Sequence, residues 1–269
     1  MNFLKSEKLV VLAACFLGLY YPTSAQSKMP NLQAKGLYMP ANLKIDGKSD
    51  EWTNKFEAYN NSTDFYYTIA NNDERLYIII RATDRNVFNK IIEKGVTFST
   101  KNGSSGNNSS FTFPYYINDT RRLLSLDLKG DMNNPSNKAT DADIAQNNKL
   151  LREKHRFIKV EGIRGVDSLI SIYNEKGIQV AELFDVNKAY TLEMLIDLKL
   201  LGVSTKNDKK ISYQIKVNPI PGYAVSENSK IITSSGNQAT PDQLAQLNVL
   251  LAKKFGGSDF RGEYVLATK

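Results

Sequence analysis

The scarce residues of this 269-residue chain limit the chemistry it can perform. It contains one histidine and one cysteine, against 14 tyrosines and 12 phenylalanines. His155 and Cys15 cannot supply a His/Cys zinc cage, a histidine-rich copper or iron site, or a Cys–His nucleophile pair. His155 stands in the charged stretch Arg152–Arg156 and is predicted to be solvent-exposed. Acidic residues abound, but no spacing singles out a hydrolytic pair, so we predict no catalytic residue, no metal site and no cofactor.

Binding chemistry is predicted instead at tyrosine pairs in strand-like segments, Tyr66–Tyr67 and Tyr115–Tyr116. Neighbouring strand residues point to opposite faces, so one member of each pair is expected in the core and the other at the surface. An exposed ring can stack on a sugar, and its hydroxyl can form hydrogen bonds. The alternative is that these are ordinary strand residues. Further candidates for the ligand-binding rim, which flank predicted loops, are Arg81, Phe88 and Tyr223.

A polar connection supplies the one alternative metal site. Asp131-Met132-Asn133-Asn134, together with Asp141 and Asp143, offers the oxygen ligands that calcium prefers. The segment lacks the spacing of an EF-hand loop, so a polar loop without calcium is the preferred interpretation.

The elements that must position these residues are mostly strands. Aromatic and β-branched runs at 65–69 and 75–81, separated by a turn at 71–74, predict a hairpin. Alternation with period two predicts half-buried strands at 190–198 and 211–218. Further predicted strands are 96–100, 110–117, 156–162, 168–173, 178–184 and 260–267, with Asn174–Gly177 joining 168–173 to 178–184 as a second hairpin.

Helix signals are fewer than strand signals. Asp84, Thr140 and Thr240 are predicted N-caps, and the three helices are expected to end near Gly95, Lys154 and Gly256. Many short strands with few helices and no βαβ alternation predict a mainly β fold. We expect a single antiparallel β-sandwich, of carbohydrate-binding-module or jelly-roll type, with two or three short peripheral helices.

The N-terminus has the pattern of a targeting segment. Lys5 and Lys8 precede an apolar run, 9–21, that is too short to span a membrane, and small residues ending at Ala25 predict cleavage there. A competing interpretation is a lipoprotein signal ending at Cys15. Both predict export to the periplasm or cell exterior, with no transmembrane segment left after cleavage. The predicted divisions are a signal peptide at 1–25, a polar lead-in at 26–40 and one domain at 41–269.

The chain carries a net charge of +7 at neutral pH. A basic balance favours acidic polysaccharide, a phosphorylated lipid surface or nucleic acid as a partner. The basic pairs at 121–122, 209–210 and 253–254 are, however, scattered and interleaved with acids. We therefore predict a solvated charged surface and no nucleic-acid partner.

The most specific stretch is Ile45-Asp46-Gly47-Lys48-Ser49-Asp50-Glu51-Trp52. It resembles the opening of family-nine carbohydrate-binding modules, in which a strand ends in Ile-Asp-Gly and is followed by Asp-Glu and Trp. Gly47 permits a tight turn, the two aspartates can cap local amides, and Trp52 is expected to fold onto the sandwich end. Segments 72–78, 192–202 and 211–218 also resemble that family. The resemblance implies a non-catalytic sandwich that binds carbohydrate, within a wider group of DOMON-like folds.

The chain also departs from that family. Sugar-binding members clamp a terminal sugar between two tryptophans, but Trp52 is the only tryptophan here and belongs to the structural motif. Where the family has Trp followed by Asp-x-Val-Glu, this chain has Ile91–Thr97. Two functions therefore stay open. Glycan binding in the envelope predicts an exposed aromatic platform, whereas a structural or protein-interaction sandwich that contacts an envelope protein predicts an apolar patch or an uncovered sheet edge.

Overall fold

The chain is described here by a computed structural model. It covers residues 29–53, 55–101, 108–117, 140–206, 208, 210–222, 225–226, 231–232 and 235–269. The predicted signal peptide and Cys15 lie outside the described residues. So do Tyr223 and the 131–134 part of the alternative calcium segment.

Two antiparallel sheets form a β-sandwich with three helices, as predicted. The strands are β1 Ala58–Asn60, β2 Phe65–Asn71, β3 Arg75–Ala82, β4 Val96–Lys101, β5 Asn108–Tyr115, β6 Phe157–Glu161, β7 Leu169–Ser171, β8 Ile178–Phe184, β9 Tyr190–Asp197, β10 Lys210–Val217 and β11 Ser258–Val265. The helices are α1 Arg85–Lys94, α2 Asp141–Lys154 and α3 Pro241–Phe255. The five-stranded sheet has the order β1-β2-β3-β9-β8, and the six-stranded sheet has the order β11-β10-β4-β5-β6-β7.

Alternating apolar residues place the core between the sheets. Ile78 and Ile80 of β3 face Phe98 of β4 and Ile215 of β10, and all four belong to one buried cluster. The period-two pattern of β10 is followed closely: its apolar residues are buried and its polar ones reach solvent. This pattern leaves each sheet with one outer face. The N-terminal segment packs against the outer face of the five-stranded sheet, whereas the outer face of the six-stranded sheet carries an open depression.

Local capping chemistry explains why the three helices begin where they do. The Asp84 carboxylate accepts hydrogen bonds from two amides in the first turn of α1, and Gly95 follows its last residue. Thr140 and Thr240 form capping boxes with Asp143 and Gln243. All three predicted helices are confirmed. None of the helices in the described part of the chain is both long and apolar enough to cross a bilayer.

Two side-chain amides close the open sides of the sandwich. Gln33, in the predicted lead-in, is buried, and its side-chain amide forms hydrogen bonds with both the backbone amide and the backbone carbonyl of Ile69 in β2. Asn148 of α2 does the same to Phe184 in the edge strand β8. The segment before residue 41 and helix α2 are thus integral to the packing.

The second predicted hairpin is wrong. β7 pairs with β6 in the six-stranded sheet, whereas β8 pairs with β9 in the five-stranded sheet. The turn Asn174–Gly177 therefore carries the chain from one sheet to the other. A turn signal of this kind reports a change of direction, but it does not report which strand each arm will pair with.

Candidate functional site

The outer face of the five-stranded sheet is covered by the N-terminal segment. Met39 packs with Tyr77, Ile79 and Leu195 in a second buried cluster. The Trp52 ring stacks on the Tyr77 ring with centroids 5.7 Å apart, and its Nε1 lies 3.3 Å from the Tyr77 hydroxyl. Trp52 thus covers a sheet face, and the expectation that it folds onto the sandwich end is wrong. The N-terminal segment therefore occupies part of this face, and Gln179 and Asp197 line an open depression on the remainder.

A buried carboxylate holds the Ile-Asp-Gly turn on that covered face. Glu193 accepts hydrogen bonds from the amides of Asp46 and Gly47, at 2.8 and 2.5 Å, and from the Tyr77 hydroxyl at 2.5 Å. Gly47 has φ of +84°, and a Cβ there would lie 2.7 Å from the Cβ of Leu183. Burial raises the pKa of Glu193 to about 7, although its three hydrogen bonds act in the opposite direction. The Ile-Asp-Gly motif therefore has a structural role, because its hydrogen bonds to Glu193 fix the turn on β9.

The outer face of the six-stranded sheet is built differently, because polar residues alternate with the core residues on its central strands. Register places side chains of neighbouring strands in rows across this face. One row is Arg261, Gln214, Ser99, Ser110 and Glu161, running from β11 to β6. Such rows bring hydroxyl, amide, guanidinium and carboxylate groups onto one surface.

Side-chain length shapes this face into a trough. The middle strands β4 and β5 carry short hydroxyl residues there, namely Thr97, Ser99, Ser110 and Thr112. Longer side chains stand on both flanks, with Gln214 and Lys216 on β10 and with Lys159 and Glu161 on β6. The short side chains of β4 and β5 form the floor of the trough, the longer side chains of β10 and β6 form its two sides, and the trough runs parallel to the strands.

One end of the trough is an open depression of about 860 Å³. We call this depression the polar depression; its outward-facing side chains are Ser99, Lys101, Asn108, Ser212, Gln214, Arg261 and Glu263. Leu32, Gly262 and the core-facing residues Thr100 and Tyr213 also line it. The polar depression thus offers donors and acceptors on its outward-facing side chains.

Ion pairs neutralise part of the charge on this face. Lys210 Nζ lies 2.9 Å from Glu263, Lys159 Nζ lies 2.8 Å from Glu161, and the Gln214 amide donates to Asp259 at 2.5 Å. The Lys159 contact lowers the pKa of Glu161 and raises that of Lys159. Three cations, Lys101, Lys216 and Arg261, form no ion pair with any described residue.

Most of the aromatic residues predicted for the ligand site lie elsewhere. Tyr67 and Phe88 are fully buried in the core, so neither can contact a ligand at the surface. Burial of Tyr67 fits the expectation that one member of its pair lies in the core, whereas the prediction of Phe88 at the rim is wrong. Tyr66 is half-buried and packs beside Tyr59, with ring centroids 4.7 Å apart. Tyr115 lies at the far end of β5, where Lys159 Nζ stands 5.8 Å from its ring centroid. The structure does not bring these residues together.

Arg81 and Tyr116 are engaged with partners inside the protein. Arg81 pairs with Asp185, and its other terminal nitrogen donates to the Thr191 hydroxyl at 3.3 Å. The Tyr116 hydroxyl donates to the carbonyl of Ile92 at 3.1 Å. These contacts hold the two side chains against the sandwich, and neither lines the polar depression.

His155 is buried, 1% exposed, and the prediction of a solvent-exposed histidine is wrong. It caps the end of α2 and turns inward, where Nδ1 bonds Glu182 and Nε2 lies 2.6 Å from the Tyr116 hydroxyl. The second Glu182 oxygen accepts from Tyr190, whose pKa is raised by burial. The charged neighbours of His155 in sequence point to solvent while its own side chain turns inward, which sequence context did not reveal.

Two other features carry less chemistry. A depression of about 560 Å³ is lined by four cations and two carboxylates, and Asp197 lies within 3.5 Å of two of the cations, Arg75 and Lys199. Asp143, from the alternative calcium segment, uses its carboxylate to bond Thr140 in the capping box of α2. Within the described residues, no group of three or more His, Cys, Asp or Glu side chains could hold a metal ion.

The sequence has little likeness to known proteins. No family model matches it, and no curated protein matches it. Among solved structures it is similar to a carbohydrate-binding module of family 9 from Caldicellulosiruptor kristjanssonii in complex with glucose. The two share 13% identity over 87% of this chain and 95% of that chain, with a TM-score of 0.38. Likeness at this level does not identify a ligand for the present chain.

The polar depression was not predicted from sequence. Its residues are serine, asparagine, glutamine and charged side chains, which are ordinary at the solvent side of any strand. One signal was available: the alternation at 211–218 already placed Ser212, Gln214 and Lys216 on a single face. Which strands flank β10 could not be known without the fold, so the rows that complete the site stayed hidden.

Proposed function

We propose that this chain is an exported, non-catalytic glycan-binding protein whose ligand lies in the trough on the six-stranded sheet. The observation that carries the proposal is the contrast between the two outer faces. The N-terminal segment covers part of one of them with Trp52 and Met39, and leaves a smaller depression of about 560 Å³ there. On the other, a polar depression of about 860 Å³ stays open among the described residues.

The groups in the polar depression suit sugar hydroxyls. A hydroxyl both donates and accepts, and so do the hydroxyls of Ser99 and Ser212 and the amides of Asn108 and Gln214. Arg261 supplies donors only, and Glu263 supplies acceptors only. A ligand rich in hydroxyls can satisfy such a mixed set.

Export is part of the same proposal. It rests on the basic residues, apolar run and small residues that end at Ala25 in the sequence. An envelope location would place the open trough among cell-surface or environmental polysaccharides. N-terminal sequencing of the protein recovered from the periplasm and culture medium tests it, and an intact Met1 on cytoplasmic protein would contradict it.

Thermal-shift measurements test the binding function. The purified protein is screened against dextran, cello-oligosaccharides, polygalacturonate and dextran sulfate. A glycan present at 100 times its dissociation constant adds about 2.7 kcal/mol to the free energy of unfolding. Ser99→Ile, in the trough floor, is expected to abolish the shift because the larger apolar side chain projects into the polar depression and removes a hydroxyl.

The matched control is Gln179→Ile, an equally strand-compatible change at an exposed position of β8 that lines the smaller depression on the other sheet. It is expected to leave the shift unchanged. Absence of a shift with every glycan overturns the proposed function. A shift that survives Ser99→Ile in folded protein places the site elsewhere.

A second candidate function is protein interaction through α3. Val249 and Leu250 of this helix are 69% and 64% exposed, although most of its other apolar residues are at least half-covered. Adjacent exposed apolar side chains are a feature of contact surfaces. Sedimentation velocity at rising protein concentration, with Leu250→Ser as the comparison, tests self-association through α3; a monomer at all concentrations contradicts it.

A further inference from the structure

We infer that the trough selects an anionic glycan, one whose sugars carry carboxylate or sulfate groups. This inference rests on the proposed glycan-binding function and adds the chemical class of the ligand. It is carried by the unequal charge balance of the outer face of the six-stranded sheet, and by the positions of the cations that create the imbalance.

Positive charge on this face exceeds what its own acids neutralise. Glu263 and Glu161 each pair with a lysine. Lys101, Lys216 and Arg261 have no ion-pair partner among the described residues. Asp259, opposite Lys216, accepts from the neutral Gln214 amide and keeps its charge. Set against that one carboxylate, the three cations leave an excess of two positive charges, a local positive field that attracts an anion.

Strand register distributes these cations around the trough floor. Lys101 is opposite Ser212, Arg261 is opposite Gln214, and Lys216 is opposite Thr97. Strand spacing and residue rise place these positions roughly 8 to 14 Å from one another. Lys101 and Arg261 belong to the polar depression itself, so an anionic group bound there lies beside hydroxyl and amide partners.

The neighbouring groups favour a glycan over other polyanions. Single-stranded nucleic acid is bound by stacking its bases on exposed aromatic side chains, whereas the one aromatic residue among the described residues lining the polar depression, Tyr213, is buried. Membrane surfaces are bound by apolar side chains that enter the acyl boundary. Hydroxyl and amide groups interleaved with cations match a chain that carries both hydroxyls and acids.

The experiment compares polymers that differ only in charge. Titration calorimetry is run with polygalacturonate and its methyl ester, and with dextran sulfate and dextran. The inference expects binding of one or both anionic forms, no measurable binding of the neutral partner of each pair, and weakening as sodium chloride is added. A single-stranded DNA of similar charge is included as a non-glycan polyanion.

Two triple variants locate the effect. Lys101→Gln, Lys216→Gln and Arg261→Gln combined are expected to weaken binding of the anionic polymer about tenfold or more. The control, Arg152→Gln, Lys154→Gln and Lys206→Gln, removes the same charge from exposed positions outside this face. It is expected to leave affinity within about twofold. Unchanged thermal unfolding of both variants shows that they are folded.

The outcomes separate this inference from the proposed function. Equal binding of charged and neutral partners, lost in Ser99→Ile but kept in the cation variant, overturns the anionic class and supports glycan binding. Absence of measurable binding to every polymer overturns both the anionic class and the proposed glycan-binding function. Binding of DNA as tight as that of the anionic glycans, or an equal loss in both triple variants, also overturns the inference, because either result reflects net charge alone.

Discussion

At the scale of single residues, Glu193 makes the stability of the fold depend on pH. Its buried carboxylate joins β9 to the turn at Asp46–Gly47, and burial raises its pKa to about 7. The folded state therefore binds this proton more tightly than the unfolded state does. The stabilisation is fully present below the unfolded value near 4.5, and it is lost as pH rises through about 7. A shift of this size corresponds to about 3 kcal/mol.

We predict that Glu193→Gln removes this dependence, because glutamine resembles the protonated acid and cannot ionise. The free energy of unfolding, measured by urea titration between acidic and mildly alkaline pH, should fall less steeply for the variant than for the parent protein. Glu161→Gln is the control: that carboxylate is exposed, and the pKa of Glu161 is lowered by Lys159. Parallel pH profiles for Glu193→Gln and the parent would contradict the prediction.

Residue identity predicted local features of the chain, but it did not predict their distant partners. The tight turn at Gly47 follows from the sequence, because a glycine between short polar residues indicates positive φ. The partner of that turn, Glu193, is 146 residues away, and no local pattern indicates it. The same holds for His155, which is buried because Glu182 and Tyr116 meet it from distant segments.

At the scale of secondary-structure elements, Asn148 joins helix α2 to the edge of the five-stranded sheet. Its amide nitrogen donates to the carbonyl of Phe184 at 3.0 Å, and its oxygen accepts from the same residue's amide at 2.8 Å. One buried side chain thus pairs both backbone groups of an edge strand, as a neighbouring strand would. This contact also blocks strand addition at that point of β8.

Replacing Asn148 by alanine is expected to cost about 2–4 kcal/mol, because two buried backbone groups lose their partners. Urea unfolding measures the loss, and hydrogen exchange of the Phe184 amide should accelerate before global unfolding. Gln146→Ala changes an exposed amide on the same helix and should alter stability by less than about 0.5 kcal/mol. A similar cost for both variants would indicate a general helix effect instead of a strand contact.

Elements were predictable where their signals are local. Asp84, Thr140 and Thr240 cap their own first turns, so the helix starts followed from a few neighbouring residues. Strand pairing is not local: 168–173 and 178–184 looked like a hairpin, yet β7 and β8 belong to different sheets. The trough depends on such pairings, since Ser99 and Gln214 are neighbours only because β4 lies beside β10.

At the scale of the whole molecule, we propose that the outer face of the five-stranded sheet contributes to stability and that the outer face of the six-stranded sheet binds glycan. The five-stranded sheet lies under the N-terminal segment, where Trp52 stacks on Tyr77 and both lie close to Glu193. The six-stranded sheet leaves its polar rows open to solvent. If this division is correct, stability and glycan binding can be altered independently.

Trp52→Ala tests the division. Losing the large ring from the covered face should lower the free energy of unfolding by about 3 kcal/mol, while the affinity for the anionic glycan found by calorimetry stays within about twofold. Trp52→Phe keeps most of the apolar contact and loses only the indole N–H, so it serves if the alanine variant unfolds. Ser99→Ile should show the converse, with binding lost and stability kept. A folded Trp52→Phe protein that no longer binds would mean that Trp52 contacts the ligand, and that the proposed trough is not the glycan site.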